Sequence, residues 1–195
     1  MKSPAFSYYQ AKDLADAINI KKSDDDAVIL AGGQSLLPTL NMRLSSPSVL
    51  IDIGSINELK KIKVEDSYLI MGAMCSHSQI MNNKEVNEKL PILNKILSQV
   101  AHPAIRNKGT HGGSIAYADP AAELPALAVA LDAEFTLVGL NGKRFISAND
   151  FYLGLFEKKA DLNKYLETGD ESGVDAFSSA FIKDPAAVVG VGTFS

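Results

Sequence analysis

One cysteine, Cys75, stands among 195 residues, so no disulfide can form within the chain. A single thiol also cannot hold an iron–sulfur cluster or build a thiolate zinc site, both of which need several sulfur ligands. Histidine is nearly as scarce. His77, His102 and His111 show neither an HExxH pattern nor any paired spacing, and no metal site is expected. Positive charge is not in excess, since the formal net charge is −4, and this argues against nucleic acid or an anionic membrane surface as the main partner. Long apolar runs are missing as well. The longest, Leu124–Leu131, contains Pro125 and falls far short of the roughly 18 residues that span a bilayer. The N-terminus, MKSPAFSYYQAKDLADAI, lacks the apolar core of a signal peptide, and a cytoplasmic location is the expectation. Two nucleotide-binding signatures are absent too. The only GxG, Gly190-Val191-Gly192, has three residues after it, and there is no GxxxxGK followed by Ser or Thr.

What remains is an ordinary globular composition, 46% hydrophobic and 22% charged, with informative local patterns. Ala11–Ile20 carries apolar residues at helical spacing. Ala27–Ala31 and Val49–Ile53 read as short buried strands, with a helical turn over Leu36–Leu44 between them. Strand, helix and strand in this order predict a small βαβ unit with a parallel sheet. Farther on, Tyr68–Ala73 reads as a strand, and a helix opens at Ser78–Asn82 with Ser76 or Ser78 as its cap. Lys84–Ala101 reads as a helix with Pro91 as a candidate restart, and Asn107–Gly113 as a polar loop. Glu123–Leu131 is a further helix. Phe135–Val138 and Arg144–Ser147 flank Asn141-Gly142, a type I′ hairpin signal. This is a second lobe of α+β type. Lys158–Val174 is polar, Glu167–Gly173 is loop-like, and Ala186–Val191 is a last apolar run.

Two glycine-rich segments carry the chemistry. Ala31-Gly32-Gly33-Gln34-Ser35-Leu36-Leu37-Pro38 leaves a buried strand, and tandem glycines let backbone N–H groups approach an anion closely. Arg106-Asn107-Lys108-Gly109-Thr110-His111-Gly112-Gly113-Ser114 adds three glycines, two hydroxyls and flanking positive charge. Either could be a plain turn, but together they suggest a diphosphate gripped from both sides. Arg106 reads as either a phosphate counter-charge or a loop anchor, with the anchor favoured. Asp119 and Pro120 shape the turn into the next helix, with Asp119 as its cap. Cys75 and His77 read as packing residues, because a Cys–His dyad would need an orienting third group and none is evident.

AGGQSLLP followed by IRNKGTHGGSIAYADPAAELP (105–125) closely resembles the FAD-binding medium subunit of the molybdenum hydroxylases, the xanthine dehydrogenase and aerobic carbon monoxide dehydrogenase family. The likeness runs from about Phe6 to Phe156. It implies an α+β, two-lobed FAD-binding domain of the PCMH type, with a small βαβ lobe and a larger mixed lobe whose sheet is mainly antiparallel. The lobes would cover 1–58 and 59–157. Residues 158–195 would be a polar tail and the remnant approach to a C-terminal domain that the chain lacks. The resemblance implies FAD contacts from Leu30, Ala31, Gly32, Gly33, Gln34, Ser35 and Leu36, and from Thr110, His111, Gly112, Gly113 and Ser114. Ala101 would add a backbone contact, and Glu123 a carboxylate for flavin-side hydroxyls. His111 stands where relatives usually carry an apolar residue. No catalytic acid or base is implied. Electrons would come from iron–sulfur clusters and leave to NAD, a quinone or oxygen. The partners would be a molybdopterin-binding large subunit and a small subunit with 2Fe-2S clusters, in a heterotrimer or a dimer of heterotrimers. Two other readings are a non-enzymatic remnant that binds a partner and a stand-alone FAD oxidoreductase.

Overall fold

Val49–Asp52 is the most buried strand of the first lobe, with Leu50 and Ile51 fully enclosed, and it takes the central place in the sheet that forms there. The computed structural model describes residues 2–154, 157–158 and 176–183. Its first three strands, β1 (Ser7–Gln10), β2 (Val28–Leu30) and β3 (Val49–Asp52), lie in the order β1-β3-β2, both pairings parallel. Ile51 faces Tyr9 on one side and Ile29 on the other. Helix α1 (Leu14–Ser23) makes the first crossover. Asp13 caps it by accepting a hydrogen bond from the Asp16 amide at 2.8 Å, and Ala17 and Ile18 face inward. Helix α2 (Leu36–Asn41) begins the second crossover. Ala11, Ala17, Ala27, Ile51, Ile53, Ile56 and Leu59 close the core of this lobe. The expected βαβ unit is present and gains β1, whose four side chains are all exposed and so leave no hydrophobic pattern to read.

A 3-10 turn at Asn57–Lys60 leads into the second lobe. Its elements in chain order are β4 (Ile62–Glu65), β5 (Tyr68–Gly72), α3 (His77–Met81), α4 (Lys84–Lys89), α5 (Pro91–Gln99), α6 (Pro103–Arg106), α7 (His111–Tyr117) and α8 (Glu123–Ala130). Then come β6 (Glu134–Gly139), β7 (Gly142–Ser147), α9 (Ala148–Phe151), the short pair β8 (Tyr152–Gly154) and β9 (Glu157–Lys158), and β10 (Ala176–Lys183). The main sheet runs β4-β5-β10-β6-β7 with antiparallel neighbours throughout. Leu69, Met71, Leu93, Leu97, Ile115, Phe135 and Phe151 pack between this sheet and the helices. Phe135 meets Phe151 edge to face, with ring centroids 5.0 Å apart.

Several expectations change. The helix expected over Lys84–Ala101 is two helices, because Pro91 cannot continue α4 and pushes Leu90 out of helical geometry, to φ −140° and ψ 63°. Ser76, not Ser78, caps α3, accepting from the Gln79 amide at 3.1 Å, while the Ser78 hydroxyl bonds Asn107. The segment expected as a polar loop, Asn107–Gly113, runs into α7 at His111. The hairpin turn is not type I′, which needs positive φ at both central residues. Gly139 pairs with Gly142, and only Gly142 of this tetrad has a positive φ, +100°. Finally, Ala176–Lys183, expected as part of the tail, supplies the strand between β5 and β6. The Glu167–Gly173 and Ala186–Val191 readings fall outside the described residues.

Candidate functional site

β2 ends at Leu30, and the chain turns through Ala31–Ser35 before α2 begins. Gly33 makes that turn with φ +71°, where a side chain would strain the backbone. Gly32 is needed for a different reason. A Cβ there would sit 2.2 Å from the Lys108 carbonyl oxygen and 3.0 Å from the Gly109 Cα, so the two glycine segments touch backbone to backbone. The carbonyls of this turn are engaged: Gly33 accepts from the Leu37 amide at 3.0 Å, and Ser35 from the Thr39 amide at 3.2 Å. The Gly32 carbonyl accepts from the Gln34 side chain at 3.0 Å. The amides of Gly32, Gly33, Gln34 and Ser35 donate to no partner among the described residues. Four consecutive unpaired N–H groups form a nest for an anion.

The other segment works differently. Thr110 caps α7, its hydroxyl accepting from the Gly113 amide at 3.2 Å and its carbonyl from Ser114 at 3.1 Å. The His111 amide donates to Cys75 at 2.9 Å and the Gly112 amide to Ala73 at 2.8 Å. Every amide from His111 to Ser114 is therefore engaged inside the protein. This segment offers a ligand the bare surface of Gly112 and Gly113, and the Ser114 hydroxyl, which makes no hydrogen bond among the described residues. Replacing Thr110 with alanine is expected to lower unfolding stability by about 1 kcal/mol through loss of the cap. Urea denaturation of T110A against T110S, which keeps the hydroxyl, measures it.

Between the two segments lies a cleft of about 440 Å³. Ala31, Gly32, Gly33, Gln34, Ser35 and Leu36 line one side, and Thr110, Gly112, Gly113 and Ser114 the other. Ile29, Ile53 and Met74 add apolar wall. His77, Tyr117 and Asp119 also line it, although nothing in their sequence context marks them as cleft residues. The other residues singled out from the sequence stand apart from the lining. Leu30 is on β2, its carbonyl accepting from Ile53 at 3.1 Å. Ala101, at φ +44°, lies in the turn between α5 and α6 with its carbonyl held by Arg106 at 2.9 Å. His111 is buried behind α7, beside a small apolar cavity with Met71, Leu93 and Phe135. Glu123 is exposed at the start of α8.

Arg106 is a structural anchor. Its guanidinium donates to the carbonyls of Val100 at 3.0 Å and Ala101 at 2.9 Å, just past the end of α5. Asp119 shapes its turn but does not cap α8. Its Oδ1 accepts from the Ala121 amide at 2.9 Å, while the cap position falls to Ala122, which has no side-chain bond to give. Burial pushes the Cys75 thiol up to about 11, so it is no ready nucleophile. Burial likewise lowers the His77 imidazole, with the nearby Thr110 backbone and Glu123 acting the other way and Arg106 adding to the drop. His111 is driven down to about 3 by burial, and then by the neighbouring His77. The site thus presents one imidazole with a lowered pKa in its lining and another behind it, unpaired amides on one side and apolar walls. These features suit a molecule with a diphosphate and flat ring systems.

Residues 4–167 match the family model described as the FAD binding domain in molybdopterin dehydrogenase. The alpha subunit of the 6-hydroxypseudooxynicotine dehydrogenase complex of Paenarthrobacter nicotinovorans is 43% identical over 157 residues, covering 80% of this chain and 53% of that protein. The carbon monoxide dehydrogenase medium chain of Hydrogenophaga pseudoflava is 37% identical over 167 residues, covering 85% and 58%. Among solved structures, quinoline 2-oxidoreductase from Pseudomonas putida 86 matches with a TM-score of 0.87 at 39% identity, over 95% of this chain and 61% of that chain. The chain spans about half the length of the curated relatives it matches. Among the described residues, no helix is long and apolar enough to cross a membrane.

Proposed function

We propose, from the premise that this chain belongs to the family of FAD-binding domains of molybdopterin dehydrogenases, that it is the flavin-carrying electron-transfer subunit of a molybdenum-dependent hydroxylase. The observation that carries the reading is the row of four unpaired amides, Gly32 to Ser35, facing a cleft walled by apolar side chains. When bound, FAD stores electron pairs between one-electron donors and a final acceptor. The residues of this chain bind and orient it. The amides of Gly32–Ser35 hold the diphosphate, with Ala31 and Leu36 at the ends of the turn, and the Ser114 hydroxyl adds a donor from the opposite side. Gly112 and Gly113 carry no side chains there, so the cofactor would approach that backbone closely. Ile29, Ile53 and Met74 keep water away from its rings.

The rest of the proposal concerns the assembly. Electrons arrive from a small subunit with 2Fe-2S clusters and leave to NAD, a quinone or oxygen, in the cytoplasm. Substrate is oxidised on a molybdopterin-binding large subunit, in a heterotrimer or a dimer of heterotrimers. Relatives named as medium chains of dehydrogenases support this arrangement. The lobes divide near 58 and 157, with Ala176–Lys183 returning to the sheet of the larger lobe. The test is the absorption spectrum of the purified chain after FAD is added and the excess removed. Flavin bands at close to one per chain are expected. Well-folded protein that retains no flavin overturns the reading for this chain.

A further inference from the structure

Helix α7 forms one wall of the cleft, and its two ends face different parts of it. At the N-terminal end, a Cβ on Gly113 would come within 3.7 Å of the Ala31 Cβ, so this end stands beside the row of free amides. At the C-terminal end stand Tyr117 and Asp119, which line the same cleft. Gly113 and Tyr117 are four helical residues apart, about 6 Å along the axis at the standard rise. That is within the reach of a sugar or ribityl chain from a phosphate to its heterocycle.

The corner fixes Asp119 and sets Tyr117 beside it. Ala118 ends α7 in the left-handed conformation, φ 55°, which reverses the chain between them. Tyr117 leaves 44% of its surface open, although it lines a concave site. Asp119 is half-buried and locked by its own turn. Its Oδ1 accepts from the Ala121 amide at 2.9 Å, and its carbonyl from Ala122 at 3.0 Å. The other carboxylate oxygen makes no hydrogen bond among the described residues. A fixed acceptor beside an aromatic face matches a flat heterocycle that carries N–H donors.

We infer that Tyr117 and Asp119 form the ring-reading end of the cleft: Tyr117 packs against a heterocycle of the bound dinucleotide, and the free oxygen of Asp119 accepts an N–H from it. This rests on reading the cleft as the FAD site. Adenine and isoalloxazine share the required chemistry, a π face and N–H donors, and the experiment separates them.

The full chain and its variants are titrated with FAD and with ADP, and the midpoint potential of the bound flavin is measured. D119N keeps the Oδ1 that holds the turn and is expected to weaken FAD binding about tenfold. Y117L is expected to weaken it about fivefold, while Y117F, which keeps the ring, stays near the parent. An equal loss of ADP affinity with an unchanged potential assigns the corner to adenine. Unchanged ADP affinity with a raised potential in D119N assigns it to isoalloxazine, since removing a negative charge eases reduction of the flavin. FAD and ADP affinities within twofold of the parent, at an unaltered potential, overturn the inference. So does a Y117F as weak as Y117L. A parent chain that takes up no FAD overturns the wider FAD reading instead.

Discussion

Gly32→Ala is expected to abolish flavin retention, with affinity falling at least about a hundredfold. The added methyl would lie 2.2 Å from the Lys108 carbonyl oxygen and 3.0 Å from the Gly109 Cα, both main-chain atoms. No rotamer change relieves a clash with backbone, so the two segments must move apart. Such overpacking ordinarily costs about 1–3 kcal/mol in stability. The larger loss is in binding, because the cradle depends on two segments held at one spacing. Gly113→Ala is the useful contrast. Its methyl would meet the Thr110 hydroxyl at 2.7 Å, a side-chain atom that can turn aside, although it would weaken the cap in doing so. The flavin-to-protein absorbance ratio after gel filtration reads the effect directly. A G32A chain that still holds about one flavin would show that the contact between the segments is not what shapes the site.

Acid is expected to unfold this protein earlier than its carboxylates alone would dictate. His111 is buried, with an imidazole held down to about 3, below the ordinary value of 6.5. Below that ordinary value the unfolded chain takes up a proton that the folded chain refuses, so stability is full at higher pH and falls through the window from 6.5 toward 3. One such histidine gives a slope of about 1.4 kcal/mol per pH unit, or roughly 2 kcal/mol between about pH 7.5 and 5. His77 is lowered in the same direction and adds to the slope. Over this range histidine is the main group that titrates. Urea midpoints at about pH 7.5 and 5 test the prediction. His111→Leu, an apolar residue facing Met71, Leu93 and Phe135, should flatten the dependence. A parent midpoint that does not move between the two pH values would count against a neutral buried imidazole.

How much of this is legible in the sequence differs from one element to the next. β3 and the strand before Gly32 can be read because each is a short run of apolar, mostly β-branched residues. β1 cannot, since a strand whose side chains are all exposed carries no periodicity. Ala31–Ser35 reads as a turn with free amides, and that is its geometry. The run from Asn107 to Gly113 reads as a loop because glycine is a poor helix former. Its end becomes the first turn of α7 because Cys75 and Ala73, more than thirty residues back in the chain, supply carbonyls to its amides. No local pattern reports a bond to so distant a strand end. Asp119 is legible as a turn former but not as a cleft residue, because its place there depends on the left-handed Ala118 beside it.

The strand order of the larger lobe also constrains when the chain can fold. The first sheet is complete once Asp52 has been made, so that lobe can organise early in synthesis. The five-stranded sheet begins as two local hairpins, β4-β5 and β6-β7, that do not touch each other as strands. They are joined only when β10 slots between β5 and β6, pairing Phe181 with Ile70 across more than a hundred residues. Closure over so long a loop is slow, and until it happens β5 and β6 present open strand edges to other chains. A ribosome that pauses before residue 176 would leave a half-built sheet that is prone to aggregate.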